Sequence, residues 1–329
     1  RLDRNNRILV DEGIKRIRAG RCCAGILALA EVSGRDPRTV SARDLGFSLA
    51  PRLNAAGRID DMTVGIRCLA TDEPAEARAI AAQLHQLNQE RRGIEEKMRA
   101  EALDMLRRVR IEEGSLPAGV ALLDDGWHPG VVGLVASRMK DRVHRPVAAF
   151  APADGDELRG SVRSVEGVHV REVLEAIDAR EPGLIVRFGG HAMAAGLTLP
   201  RNHFRRFANA FAEEVGRWLS EDQMRGVIES DGELSAAEIN LETAVAVRDG
   251  GPWGQGFPEP LFDGVFHVVE CRVVGQRHLK FWARPGGEGQ PVEGIAFGYY
   301  ADPAAVRVEA GSRLRLAYRW IPEAAGRLL

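Results

Sequence analysis

Cysteine is scarce in this chain, with only four in 329 residues. Cys22 and Cys23 adjoin, Cys68 and Cys271 stand alone, and no paired spacing marks a zinc site or a disulfide framework. A reducing cytosol is the compartment such usage suggests. Long apolar runs are lacking too: none approaches the roughly 18 residues of a membrane span, and the N-terminus has no secretion-signal order. Strong charge of one sign is also missing. A net charge of −2 neither requires nor excludes a nucleic-acid partner, because a chain this long can balance a basic face against acidic helices. Internal repeats and low-complexity tracts are absent. What is present is an ordinary 45% hydrophobic content, which with this length implies two or three folded domains. The chain opens at Arg1 and ends at Leu329 inside a strand-like run, which reads as a cut at both ends.

The bases are clustered at 15–21, 138–145, 201–206 and 272–284, while acids concentrate in helical stretches such as 73–101. Each cluster alone fits a solvated helix face. Helical periodicity opens the chain at 5–19 and 21–32 and resumes near Ser41. From Thr71 an apolar stripe runs through Ile80, Leu84, Leu87, Ile94, Met98, Ala102 and Leu106 to Gly114, predicting one long helix. The heptad breaks at Arg91, which favours a strut between domains over a coiled coil. After Pro117 short apolar runs alternate with helical patterns up to a Gly- and Pro-rich stretch at 250–260. Beyond it the runs are β-rich and joined by turns, as in a small antiparallel barrel of OB type. The expected architecture is therefore a helical region (1–70), a long connecting helix (71–113), an α/β domain (114–249) and an OB-type β-barrel (250–329).

The strongest local signal is Phe188-Gly189-Gly190-His191 followed by the small residues Ala192 to Gly196. Two glycines let backbone approach a phosphate, an imidazole can donate to it, and small residues would permit a packed helix with an anion-favouring N-terminus. A tight strand-to-helix turn with a packing histidine is the alternative. Asp124-Asp125-Gly126-Trp127-His128-Pro129 could be taken for a metal site, but reads better as a strand end before a helix whose Arg138 or Lys140 faces an anion. His85, His144, His169 and His203 read as surface or packing residues. In the barrel, Arg277, His278 and Lys280 flank Phe281 and Trp282, a basic groove with stacking candidates. Strand alternation puts only one of the two rings on a ligand face.

The glycine-glycine-histidine string is similar to the motif of DHHA1 domains, and three more stretches resemble the RecJ-like exonucleases of the DHH–DHHA1 phosphoesterase superfamily. They are Leu49-Ala50-Pro51-Arg52-Leu53-Asn54-Ala55-Ala56-Gly57-Arg58, Gly160-Ser161-Val162-Arg163-Ser164, and Gly251-Pro252-Trp253-Gly254-Gln255-Gly256-Phe257-Pro258-Glu259-Pro260. The four lie in the family's order. The resemblance implies roles: Arg58 positions the phosphate and His191 completes the catalytic pair, while Asn54, Ser161, Arg163, Gly189, Gly190 and His128 bind substrate. Arg277, Lys280 and Phe281 join them from the barrel. It also implies a metal-dependent exonuclease that degrades single-stranded DNA from the 5′ end in repair and recombination. Single-strand-binding protein and a helicase would be its protein partners, without a membrane. The family's Mn²⁺ or Mg²⁺ ligands include an Asp-His-His motif that occurs nowhere here. The expectation is that this chain holds no metal and grips DNA without cleaving it. Leu2-Asp3-Arg4-Asn5-Asn6-Arg7 resembles the stretch just after the family's last metal ligand.

Two other functions share parts of this pattern. A non-catalytic nucleic-acid-binding module, such as the DHHA1 domain of alanyl-tRNA synthetases, would lack the long strut and the barrel. A small-substrate DHH phosphodiesterase would share the Gly-Gly-His string but stop near Gly250.

Overall fold

The computed structural model describes residues 1–113, 115–219, 226–301, 305–322 and 327–328. In chain order the helices are α1 (Arg4–Arg18), α2 (Ala24–Val32), α3 (Ala42–Asp44), α4 (Ala50–Ile59), α5 (Thr63–Ala70), α6 (Pro74–Glu113), α7 (Val132–Val143), α8 (Val170–Arg180), α9 (Phe204–Gly216) and α10 (Leu241–Asp249). The strands are β1 (Val120–Leu123), β2 (Val147–Pro152), β3 (Glu157–Arg163), β4 (Arg187–His191), β5 (Ala194–Pro200), β6 (Phe262–Val274), β7 (His278–Pro285), β8 (Val292–Ala296), β9 (Arg313–Tyr318), β10 (Trp320–Ile321) and β11 (Arg327–Leu328). They form two compact units, one of residues 23–34 and 49–226 and one of 1–22, 35–48 and 227–329.

In the first unit the long stripe becomes α6, a helix of 40 residues. Its N-terminal turn is braced by Thr71, whose hydroxyl accepts from the Glu73 amide at 3.2 Å and donates to Glu76 at 2.6 Å. A Cβ at Gly93 would meet nothing within 4 Å, and the helix runs through it unbroken. Helices α2, α4, α5 and α7 pack along α6. Its stripe is buried at Ala77, Ile80, Ala81 and Leu84 and again at Met98, Ala102 and Leu106, the one-sided burial that holds a long helix in place.

The five-stranded sheet has the order β1-β2-β3-β5-β4, parallel between β1 and β2 and antiparallel elsewhere. Strand alternation divides its residues between two cores. Ala148, Phe150, Leu158, Val162, Ala195, Leu197 and Leu199 pack on α8 and α9 through Val173, Leu174, Ile177, Phe207 and Phe211. Val120, Leu122, Val147, Ala149 and Ala151 pack on α6 and α7 through Met98, Ala102, Val132, Val135 and Met139. Gly160 lies beneath Phe150, where a Cβ would fall 2.3 Å from the ring.

The second sheet has the order β10-β11-β8-β7-β6-β9 and is antiparallel apart from β11 against β8. Strand β6, 13 residues long, pairs with β9 through its first part and with β7 on both sides of an irregularity at Val268 and Glu270. A bulge of this kind lets one long strand serve two turns of a small OB-type barrel. Residues 227–249, read from the sequence as the close of the α/β domain, group instead with this unit. The reason is packing and pairing: Ile239 and Ala244 enter the core of Phe266, Phe281, Tyr318 and Trp320. The Asp231 amide donates to Leu261 O at 2.7 Å, and the Trp320 indole donates to Asn240 O at 2.7 Å.

Candidate nucleic-acid interface

Arg58 lies in the last turn of α4, a helix fixed by its buried residues Arg52, Ala55 and Ala56. Its Nη1 donates to Gly130 O at 3.3 Å. A Cβ at Gly130 would stand 2.0 Å from Arg58 O, so this close approach of two backbones requires glycine. The loop is held by Trp127, which is buried and donates from its indole to Glu101 of α6 at 3.0 Å. His128 Nδ1 accepts from the Gly130 amide at 3.1 Å. On β3, Arg163 Nη1 donates to Ser161 Oγ and to Val162 O, both at 2.8 Å. Gly133 of α7 leaves room for them: a Cβ there would come within 2.8 Å of the guanidinium and 3.0 Å of the hydroxyl.

These arginines repel one another. The Arg58 guanidinium is held below its usual range by burial and then by Arg91, with Glu95 opposing the shift. Arg163 is likewise lowered by burial and then by Arg58. Arg91 and Glu95 are the residues behind the heptad break. Arg91 is buried, bonded to Asn88 Oδ1 at 3.1 and 3.3 Å and to Glu95 at 2.5 Å, while Glu95 is shared with Arg138 at 3.3 Å. Arg58 and Arg163 have no carboxylate partner among the described residues. Half-buried guanidinium forks in excess of carboxylates form a site that an incoming phosphate stabilises by bidentate bonding and charge neutralisation. The sequence named Arg58, Ser161 and Arg163 but missed Arg91 and Glu95. Their signal was a charged residue on the buried stripe of α6.

The sheet sets His191 level with this site. Arg163 pairs with Ala194, which pairs with His191, and Ser161 pairs with Gly196, which pairs with Gly189. Gly189, Gly196 and His191 are exposed. The expected helix after His191 does not form. Ala194–Pro200 is strand β5, whose Ala195, Leu197 and Leu199 alternate into the core, a period of two that the small residues disguised. The two glycines also divide their roles. A Cβ at Gly189 would meet nothing within 4 Å, whereas Gly190 has φ +148° and a Cβ there would lie 2.4 Å from Ala194 O. Gly190 closes the hairpin, and Gly189 opens the surface. Asn54 is exposed on α4, one turn before Arg58 and on the same side.

Other expected residues fall differently. Phe281 is a correction: it lies in the barrel core at 4% exposure, pressed on Gly294, because the alternation of β7 turns Trp282 outward in its place. Arg272 and Lys280 stand over the Trp282 ring at 5.5 and 4.9 Å. Lys280 is ion-paired with Glu293 at 3.1 Å, and Arg277 is exposed in the β6–β7 turn. Neither Arg138, bound to Glu95, nor Lys140, paired with Asp141 at 2.5 Å, is left to face an anion alone. Asp124 accepts from the Gly126 amide at 2.8 Å and Asp125 pairs with Arg201. His85 bridges Arg52 and Gln89, and His169 accepts from the Glu172 amide at the start of α8. Among the described residues no three His, Cys, Asp or Glu side chains converge as metal ligands. These residues therefore do not fit a divalent ion, and no helix among them is long and apolar enough to cross a membrane.

The α/β unit with its arginine-lined, glycine-floored face and the unit built on the second sheet define the class: a DHHA1 domain followed by an OB domain. Residues 116–217 match the DHHA1 domain and residues 230–321 the RecJ OB domain. The chain belongs to the RecJ family. It is similar to the single-stranded-DNA-specific exonuclease RecJ of Salmonella typhimurium, 53% identical over 90% of this chain and 51% of that protein. The Escherichia coli protein of the same name is 50% identical over 97% of this chain and 55% of its own length. The crystal structure of RecJ in complex with Mg²⁺ from Thermus thermophilus superposes with a TM-score of 0.76 at 29% identity, covering 98% of this chain and 48% of that one. The chain spans about half the length of the curated relatives it matches.

Proposed function

We propose that this chain supplies the DNA grip of a metal-dependent 5′-to-3′ exonuclease that hydrolyses single-stranded DNA in the bacterial cytoplasm. The observation that carries the reading is the convergence of Arg58, Arg163 and Ser161 beside the exposed Gly189 and His191, with both guanidiniums destabilised by burial and by their neighbours' charge. Relatives named as single-stranded-DNA-specific exonucleases give the substrate class. Arg58 and Arg163 would neutralise and orient a phosphodiester, Ser161 would donate to a phosphate oxygen, and His191 would donate from the floor's edge. Divalent ions would supply the activated water and stabilise the leaving oxygen. In this reading the chain positions the strand, since its described residues offer guanidiniums, a hydroxyl and an imidazole at this face and no converging group of three His, Cys, Asp or Glu side chains.

The test measures single-stranded oligonucleotide binding to the chain by fluorescence anisotropy, alongside thermal denaturation. Arg163→Ala should weaken binding about thirtyfold, the equivalent of about 2 kcal/mol for a charge-assisted bond, with no fall in Tm. Arg163→Lys should recover only part, since an ammonium lacks the planar fork. Unchanged affinity in Arg163→Ala would sink the grip. Metal-dependent nucleotide release by the chain itself, abolished by Asp124→Ala with Asp125→Ala, would instead move catalysis into this half.

A further inference from the structure

The register that brings Arg163 level with His191 continues along the same face of the sheet. Arg159 on β3 stands opposite Thr198 on β5, and Thr198 stands opposite Arg187 on β4. Side chains two apart on a strand share a face, so Arg159, Ser161 and Arg163 look the same way as Arg187, Gly189 and His191. Between the two ends the surface is bare. Gly189 and Gly196 are exposed, and a Cβ at Gly196 would meet only Gly160 O, at 3.9 Å. On the neighbouring β2 the same face is roofed, with Val147, Ala149 and Ala151 buried under α6 and α7. The bare strip begins where that roof ends.

The far end of the strip is basic. Arg187 is exposed, with its Nε donating to Thr198 Oγ1 at 3.2 Å, which fixes the root of the guanidinium to the floor. Arg159 is exposed and has no carboxylate partner among the described residues. Arg159 and Arg163 are four strand steps apart, about 13 Å of rise. Two arginine ends joined by a floor of Gly189, Gly196 and Ser161 suit an extended, regularly charged polymer better than a compact ligand.

We propose that Arg159 and Arg187 form a second phosphate subsite for single-stranded DNA, holding the backbone beyond the nucleotide gripped at Arg58 and Arg163. The glycine floor lets the sugar-phosphate chain lie against the sheet between them. This rests on reading the first site as a DNA grip.

The experiment compares Arg159→Ala with Arg187→Ala, as a double variant, against Arg163→Ala in the full chain. Two probes are used: a 5′-phosphorylated thymidine dinucleotide and an oligothymidylate long enough to span both ends. The double variant should weaken the oligomer about tenfold, lower its salt slope by about 0.7 per lost phosphate contact, and leave the dinucleotide unchanged. Arg163→Ala should weaken both. Gly189→Val, whose side chain enters open space on an edge strand, should weaken the oligomer with Tm unchanged. If the double variant leaves oligomer binding intact while Arg163→Ala reduces it, the second subsite is wrong and the first stands. If the dinucleotide weakens as much as the oligomer, the two arginines act as a general field and the subsite is again wrong. If none of the variants alters either probe, the first reading fails instead.

Discussion

The two units treat their cationic side chains in opposite ways. In the barrel unit Lys280 is paired with Glu293, Arg315 with Asp263 at 2.9 Å and Arg319 with Glu259 at 3.4 Å. In the α/β unit Arg58 and Arg163 are half-buried and repel each other, and the carboxylate that Arg58 feels, Glu95, is already shared by Arg91 and Arg138. Both regions read in the sequence as phosphate contacts, Arg58 and Arg163 through their motifs and Arg277 and Lys280 through a basic cluster beside aromatic residues. Only the balance of partners separates them: charge that a fold leaves uncompensated and partly desolvated is charge kept for a ligand, because holding it otherwise destabilises the fold. Charge neutralised at the surface contributes solubility and a few tenths of a kcal/mol.

The sharpest way to test this contrast is at Phe281, the aromatic residue that the sequence placed on the ligand face. Its ring fills the barrel core against Gly294. Phe281→Ala should destabilise the chain by about 3–5 kcal/mol, as large-to-small core changes do, with DNA affinity per folded molecule unaffected. Chemical denaturation and anisotropy together decide it. A variant of normal stability with weakened binding would return Phe281 to the ligand surface.

Glu95 sharpens the comparison from the other side. Glu95→Gln removes the carboxylate from a cluster of guanidiniums, so stability should fall by about 2 kcal/mol, less than for a wholly buried pair because an amide can still accept from Arg91. Affinity for single-stranded DNA should rise several-fold, since phosphate then meets less competition. Sulfate in the denaturation buffer should restore much of the lost stability. If affinity falls with stability, Glu95 serves to orient Arg91 and Arg138, and limiting the positive charge is not its role.

Much of this was legible in the sequence for physical reasons. The long helix showed itself through sustained apolar spacing, and the turn chemistry around 250–260 marked a change of texture. Arg58, Ser161 and Arg163 stood in two motifs; β3 sets Ser161 and Arg163 on one face, and α4 with the loop at Gly130 sets Arg58 beside them. Strand β5 was hidden because Ala194, Ala195 and Gly196 have no strong strand preference, and tertiary pairing with β3 overrode the local signal. Residues 227–249 were assigned to the wrong neighbour because a helix such as α10 shows which face is apolar but not which core receives it. Arg91 was read only as an interruption, although Asn88 and Glu95 at i−3 and i+4 were the available sign of a polar cluster on the buried stripe.

The smallest effect is expected at Arg277 and Lys280. If both contacted phosphates, replacing the two with alanine would lower the salt slope by about 1.4, at about 0.7 for each contact on a single strand. Lys280 is committed to Glu293 and stands over Trp282, with both charged side chains largely screened from solvent at 19% and 20% exposure. Its removal therefore subtracts little from the field that DNA meets, and the slope should change by less than about 0.7, with Arg277 accounting for it. Affinity can still drop a few-fold for a different reason. Without Lys280 the Glu293 carboxylate loses one cationic neighbour on the same face and repels the strand more strongly. Adding Glu293→Gln to the double variant separates the two causes: recovered affinity at an unchanged slope identifies repulsion by Glu293. A slope that falls by about 1.4 and stays there would show that the barrel grips phosphate as directly as the α/β unit does, and the contrast between the two units would be lost.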